Sequence, residues 1–469
     1  MKKRRFNRNA TRNQSNNRRQ FIKLGVAAGA STLLPKPPVS VREPTGEMSA
    51  QGLTQPTGFQ RGADFQSTQV KRSIQTDKRS ASPFELSSKL NEAAVAPVLK
   101  IEFFKQPVRV AAIELLKNGR QYLIRARSTD GATGIAVAQR DVMRSAYPIL
   151  LHRVAPFFIG RDARELESLV HGVYLHNSNY KWQGLLFWVC VASVEMALLD
   201  LLGKVAGKSL GELLGGVVRR EIAVYRASER RSNTPEQEID YLKNLVAATG
   251  AKAIKFRLGA RMRYDDQSTR RDQALIPLTR KVFGHEMTIY ADANGSYDVP
   301  MAIKIGRLME EHRLAFFEEP VPFDYYEETK QVGDTLAIPI AGGEQESSLR
   351  RFRWMIENSG VNLVQPDLFY FGGLTRSIRV ARMAAAAGME CTPHMSGNGL
   401  GWLYVAHFAS CVPNAGPFQE YKGEDEDLPV TSETSSLKCE RGIIKVPIGP
   451  GLGVTLDPSF INKTTTVSA

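Results

Sequence analysis

Seven polar side chains, Lys255, Asp292, Glu318, Glu344, Asp367, His394 and Glu420, each close a short apolar run in the second half of the chain. The steps between them are 37, 26, 26, 23, 27 and 26 residues. A step of that length holds one strand, one helix and two loops, so the beat predicts successive βα units of a closed parallel barrel. Candidate strands are 222–227, 253–258, 288–293, 314–319, 339–343, 362–367, 390–394 and 417–421, with amphipathic helical stretches between most pairs. Groups that end successive barrel strands converge on one mouth, and the beat therefore locates an active site before any chemistry is named.

Ahead of the barrel, 108–116 and 122–128 are rich in Val, Ile, Leu and Ala around Lys117-Asn118-Gly119-Arg120, a hairpin signature, and 131–138 reads as a third strand. Helical patterns follow at 140–155, 162–176 and 182–205. The expected organisation is an α/β fold: an α+β capping domain over 97–220, a TIM-like barrel over 221–427, and a closing segment, 428–469, that packs back on the cap. The apolar stretch 185–202 is interrupted by Glu195 and Asp200 and ended by Gly203-Lys204, so it reads as a buried helix and not a membrane span.

Charge is unevenly placed. The 469 residues carry a formal charge of +14, but residues 1–79 hold 16 Lys+Arg against 4 Asp+Glu, which leaves 46 basic and 44 acidic residues for the rest. The folded part is nearly neutral, which argues against nucleic acid as a partner. The excess belongs to a leader. Asn17-Arg18-Arg19-Gln20-Phe21-Ile22-Lys23 matches the twin-arginine export pattern, in front of an apolar run at 24–34 that is too short to span a bilayer. The expectation is a signal segment over 1–50, a periplasmic or extracytoplasmic location and no mature membrane span. Residues 51–96, rich in Ser, Gln, Thr, Pro and Gly, read as a disordered tether. The four cysteines show no zinc-ligand spacing, and Cys190 sits within an apolar helix.

Three carboxylates, Asp292, Glu318 and Glu344, end three successive strands with no Cys or His among them. Such a hard oxygen site suits Mg²⁺, and like charges so close require a cation at their centre. Asp367 and His394 end the next two strands. A carboxylate on one imidazole nitrogen fixes the tautomer and raises the basicity of the other, which makes His394 a candidate general base. Lys255 and Arg257, two apart on one strand, face the mouth together and suit a substrate carboxylate beside the metal. Glu420, on the eighth strand, is expected to act as an acid if burial raises its pKa. Together these groups fit removal of the weakly acidic proton α to a carboxylate, with cations stabilising the resulting enediolate.

From about Pro97 to Gly453 the chain resembles the enolase superfamily, and within it the mandelate racemase subgroup. The resemblance rests on Lys255-Phe256-Arg257, the Asp292/Glu318/Glu344 triad, the Asp367–His394 dyad, Glu420, and the cap sequences 197–204 and 213–216. It implies a modified (β/α)7β barrel under an N-terminal cap, Mg²⁺ as cofactor, a small-molecule carboxylate as partner, and a homo-oligomer. Members of this branch are mostly acid sugar dehydratases, with a few racemases and epimerases. One departure chooses between them: Arg257 stands where the family's second lysine acts as a base, and a guanidinium is a poor proton acceptor. With one good base the expected activity is dehydration of a sugar acid to a 2-keto-3-deoxy acid. A racemase or epimerase, and an exported carboxylate-binding protein without catalysis, are the alternatives. In a second departure, the capping loop that closes over substrate in the family is here the short Lys117–Arg120 turn. Closure is then expected from 139–144 or the tether, with Asn294, Ser396 and Asn398 as further candidate substrate contacts.

Overall fold

The structure, a computed structural model, describes residues 83–396, 400–423 and 428–468. The signal segment, the tether as far as residue 82, and Asn398 lie outside the described residues.

The cap is an antiparallel sheet of β1 (Val110–Asn118), β2 (Gln121–Ser128) and β3 (Thr133–Val137), with the helix Leu185–Ala206 laid across it. Every residue of that helix from Phe187 to Gly203 is buried, so its apolar length serves the core beneath the cap. At the first hairpin Gly119 takes φ +55°, the left-handed conformation a two-residue turn needs. That turn holds the C-terminal segment, through Asn118 Nδ2 donating to Phe460 O, and not the mouth.

The barrel strands are β4 (Glu221–Ala227), β5 (Ala253–Arg257), β6 (Thr288–Asp292), β7 (Phe316–Glu318), β8 (Ile340–Gly342), β9 (Leu363–Val364), β10 (Glu390–Cys391) and β11 (Gln419–Tyr421). They pair in parallel in the order β10-β9-β8-β7-β6-β5-β4-β11, and a bridge between Cys391 and Ala415 joins the two ends. Alternation builds both layers of each strand. Phe256, Ala291 and Phe317 pack outward in the main core, whereas Tyr225, Ala253, Tyr290 and Phe316 fill the barrel interior. Tyr290 and Phe316 stack there with ring centroids 3.8 Å apart. One step on along the inward face stand Asp292 and Glu318, so an aromatic floor carries the polar mouth.

Strand pairing stops short of three predicted strand-end residues. Glu344 follows Gly343, and Asp367 and His394 follow Pro366 and Pro393. Proline lacks the N–H a ladder needs, so these residues sit on the first turn beyond the sheet instead of in it.

Two expectations change. The stretch read as tether is helical from Pro83 to Val95. Its composition is polar, but Leu86 and Leu90, one turn apart, are buried against the barrel helix Leu374–Ala386. Arg353 fixes the other flank by donating to Ser87 O and Oγ and to Asn91 Oδ1. Two anchoring residues in thirteen are too few for a periodicity signal. The closing segment packs back on the cap at Gly451, which bridges to Ser209, and again where Thr465–Thr466 pairs with β1, but it also joins the barrel. Before that, Ile443–Lys445 adds antiparallel to β4 of the barrel.

Candidate active site

The parallel register places Arg257 opposite Asp292 and Asp292 opposite Glu318, so three strand ends stand level. Asp292, Glu318 and Glu344 each turn an oxygen inward, all within 4.8 Å of one another. Two carboxylate charges at that spacing repel by about 3 kcal/mol at an effective dielectric near 20. The mouth buries six carboxyl groups (Asp292, Glu318, Glu319, Glu344, Asp367, Glu420) against three basic groups (Lys255, Arg257, His394). Glu318 Oε1 has no hydrogen-bond partner although buried. An excess of hard oxygen donors, one aimed at nothing, fits a divalent cation such as Mg²⁺.

Lys255, fully buried, donates to Glu318 Oε2 at 2.7 Å and lies 3.1 Å from Glu420 Oε1. Burial alone would lower its pKa, but Glu318 and Glu420 reverse the sign and hold it as ammonium. Arg257 pairs with Asp292, and its Nε donates to Ser228 O at 3.0 Å. Burial opposes its charge too, and the Glu420, Glu318 and Glu344 carboxylates outweigh it.

The dyad forms as expected from the sequence: His394 Nδ1 lies 2.7 Å from Asp367 Oδ2. Asp367 is held from behind by Phe369 N, Tyr370 N and Ser396 Oγ, all donating to Oδ1 at 2.8–2.9 Å. Ser396 thus orients the dyad, a role its neighbouring glycines disguised. His394 Nε2 faces the mouth, 3.1 Å from Glu344 Oε2. Burial works against the imidazolium, but Glu344, Glu420 and Asp367 raise the His394 pKa. The same pairing brings Glu344 down to about 2 against its own burial, through His394, Arg257 and Lys255. Glu420 goes the opposite way from the sequence expectation. Burial pushes it up, but Lys255, Lys422, His394 and Arg257 together hold it well below the carboxylate range. In this state it is an acceptor, and Met395 N donates to it at 2.9 Å.

A cavity of about 630 Å³ opens over these groups. Gln139, Asp141 and Val142 of the cap line it, so the segment 139–144 stands over the mouth as expected for closure. Asn294 lines it as well, tied to both signs of charge: Nδ2 donates to Glu319 and Glu344 at 3.3 Å, and Oδ1 accepts from Arg231 and Arg257. The beat missed Glu319, Arg231, Arg261, Tyr370 and Lys422. Glu319 follows Glu318 directly, but a left-handed backbone (φ +41°) turns its side chain inward, which alternation along a strand forbids. The others lie on loops, where period carries no information. Three cysteines, Cys190, Cys391 and Cys411, are thiols buried away from this site.

Residues 95–215 match the family model for the mandelate racemase / muconate lactonizing enzyme N-terminal domain, and 238–460 that for the enolase C-terminal domain-like fold. An arabinonate dehydratase of Saccharolobus solfataricus is 27% identical over 335 residues, covering 70% of this chain and 86% of its own. A D-galactonate dehydratase of Ralstonia pickettii is 28% identical over 350 residues, covering 73% and 90%. Among solved structures, a candidate racemase from Roseobacter denitrificans superposes with a TM-score of 0.71 at 32% identity, covering 77% of this chain and 99% of its own. A mandelate racemase/muconate lactonizing protein from Paracoccus denitrificans, complexed with magnesium, gives 0.70 at 26%, with the same coverage.

Proposed function

The chain belongs to the mandelate racemase / muconate lactonizing enzyme family of the enolase superfamily, and from that premise we propose that this lyase is a magnesium-dependent dehydratase of a sugar acid. The observation that carries the reading is the single proton acceptor at the mouth. Arg257 is a guanidinium paired with Asp292, and Lys255 donates to Glu318 Oε2, so among the described residues His394, with Nδ1 on Asp367 and Nε2 facing the mouth, is the basic group placed to take a proton. Racemisation needs a base on each face of the α-carbon, whereas elimination needs one.

Asp292, Glu318 and Glu344 would hold the ion, which when bound supplies positive charge that makes the proton beside the substrate carboxylate more acidic. His394 takes that proton at Nε2. Asp367 at Nδ1 keeps the ring in the tautomer that can accept it and stabilises the imidazolium that results. Lys255 and Arg257 meet the negative charge left on the substrate carboxylate. His394 then returns its proton to the departing β-hydroxyl, and the enol tautomerises to a 2-keto-3-deoxy acid. Glu420, a carboxylate in the structure, accepts hydrogen bonds and shares the task of keeping Lys255 charged.

Incubation of the full-length protein with Mg²⁺ and a sugar-acid library in D₂O tests this. Keto-acid formation is expected. Deuterium exchange with inverted configuration and no keto acid would transfer the assignment to racemisation, the reading that the Roseobacter neighbour's description favours. Binding without turnover would reduce the site to a carboxylate receptor. The further proposals are export through the twin-arginine motif at Arg18-Arg19 and assembly as a homo-oligomer. Replacing both arginines by lysine should retain the protein in the cytoplasm, and unchanged periplasmic recovery would refute export.

A further inference from the structure

The reacting carboxylate has its partners in Lys255, Arg257 and the triad, yet this chemistry does not use two more guanidinium groups: Arg261 lines the cavity, and Arg231 stands behind its lining, bonded to Asn294. Arg231, on the loop after β4, donates through Nε to Leu258 O at 3.2 Å and through Nη2 to Asn294 Oδ1. Arg257 Nη1 donates to that same oxygen. Two cations therefore converge on one neutral amide, which solvates them but cannot neutralise them. Arg261, on the loop after β5, lines the cavity a short way further out. Among the described residues no carboxylate lies within ion-pairing distance of Arg231 or Arg261. Glu229, which also lines the cavity, is taken by Lys422 at 3.0 Å.

The backbone shows that Arg261 is placed, not incidental. Arg261 and Met262 both adopt left-handed φ values, +56° and +57°. Side-chain-bearing residues resist that conformation, and two in succession persist only where surrounding bonds impose it. Here Ala260 N donates to Arg263 O at 2.9 Å and Met262 N to Asn294 O at 3.0 Å, pinning the loop to the rim. The strain is concentrated on the residue that turns a cation into the cavity. Burial, Arg257 and Arg261 also bring the Arg231 guanidinium down to about 9, and Glu344 offsets them only in part.

We propose that Arg261, backed by the charge of Arg231, forms a second anion subsite on the wall built by the loops after β4 and β5, and that the substrate is a sugar acid bearing a second anionic group, a distal carboxylate or phosphate. The substrate half of this inference rests on the sugar-acid reading above; the subsite itself does not. A sugar acid whose reacting carboxylate is held by the triad and Lys255 turns its distal anionic group to this wall, in a cavity that Gln139 and Asp141 of the cap also line.

The test compares kcat/KM of the full-length Mg²⁺-loaded enzyme for three series of matched configuration: sugar monoacids, the corresponding diacids, and sugar acids phosphorylated at the terminal hydroxyl. One of the two dianionic series is expected to exceed the monoacids by tenfold or more, and which one does identifies the distal group. Arg261→Gln should lower the dianion-to-monoacid ratio about tenfold. Among the described residues its side chain makes no hydrogen bond or ion pair, so loss of structure does not confuse the result. Arg231→Gln should lower the ratio further, with circular dichroism to check folding. Equal or better turnover of monoacids, with a ratio that Arg261→Gln leaves unmoved, overturns the proposal. Should no acid be dehydrated at all, the dehydratase reading fails separately, and calorimetric titration of the His394→Asn protein decides the subsite. Tighter binding of dianions that Arg261→Gln abolishes sustains it; equal binding of monoacids and dianions overturns it.

Discussion

Two parts of this molecule bury ionisable groups completely, and they do so in opposite ways. At the seam between cap and barrel, Glu195 accepts from Leu374 N, Thr375 N and Thr375 Oγ1, capping the helix Leu374–Ala386. Asp200 accepts from Ile135 N and Leu452 N, and His407 Nε2 meets Leu452 O at 3.0 Å. The seam groups take their hydrogen bonds mainly from backbone, with His407 Nδ1 left without one. At the mouth, side chain meets side chain, oxygens such as Glu318 Oε1 stay unpartnered, and six carboxyl groups face three bases. Burial is equal in the two places, so burial does not mark the active site. What marks it is polar capacity left open toward a cavity, which costs about 1–3 kcal/mol per orphaned group and persists only if a ligand uses it.

That contrast predicts that substitutions at the mouth change rate and those at the seam change stability. The largest effect belongs to His394→Asn. General-base catalysis contributes roughly 10²–10⁴-fold, and with no second base the keto-acid rate should fall by at least about 10³. Calorimetric Mg²⁺ binding should persist. A variant that loses Mg²⁺ binding or melts early would place His394 with the seam groups.

Glu195→Ala sits next. It strips three donors of their acceptor in a dry interface, at a cost of about 3 kcal/mol in denaturant unfolding. Gly373, at φ +112°, lies so close to that carboxylate that a β-carbon would strike it, so Gly373→Ala should be destabilising too. The rate per folded molecule should hold in both. A large fall in kcat with unchanged stability would break the division between seam and mouth.

The two buried histidines sharpen it further. Burial lowers the His407 pKa to about 4, against an ordinary value near 6.5, with the Leu452 carbonyl only partly offsetting it. Between those values the unfolded chain binds a proton that the folded chain refuses. His407 therefore costs no stability above pH 6.5 and a growing amount as pH falls toward 4, reaching about 3 kcal/mol. His407→Asn should remove that part of the acid sensitivity, read as a flatter dependence of unfolding free energy on pH over this window. His394 has the opposite sign: its raised pKa adds stability below 6.5 that is lost as pH rises through the folded value. An acid profile unaltered in His407→Asn would show that the seam histidine is solvated.

The smallest effect is expected at the helix Pro83–Val95. Arg353→Ala removes its fork to Ser87 and Asn91, a part-buried attachment contributing about 1 kcal/mol. Hydrogen exchange should quicken over 83–95 and nowhere near the mouth.

The barrel and the inner ring of its mouth were legible in the sequence because a repeated βα unit places chemistry at a fixed period. Lys255, Asp292, Glu318, Glu344, Asp367, His394 and Glu420 come together where the steps between them predict. Direction of charge was less legible. Burial suggested a raised pKa for Glu420, but four cations, two on β5 and one each after β10 and β11, decide it the other way, and no local pattern carries that sum. Arg231 and Arg261 were invisible for another reason. Their positions depend on loop geometry, including two left-handed residues that no glycine announces. The helix Pro83–Val95 was lost in a polar stretch because only Leu86 and Leu90 anchor it.

Asn294 gives the mouth a property that neither its cations nor its carboxylates have. Its carboxamide turns oxygen toward Arg231 and Arg257 and nitrogen toward Glu319 and Glu344, so one neutral group stands as a partition between two fields of opposite sign. Without it Arg231 is free to follow Arg257, already paired with Asp292, into a salt bridge and spend its charge there. With it, a small molecule entering the cavity meets a positive wall and a negative well a few ångströms apart, and the polarity of a single amide sets which way round it lies.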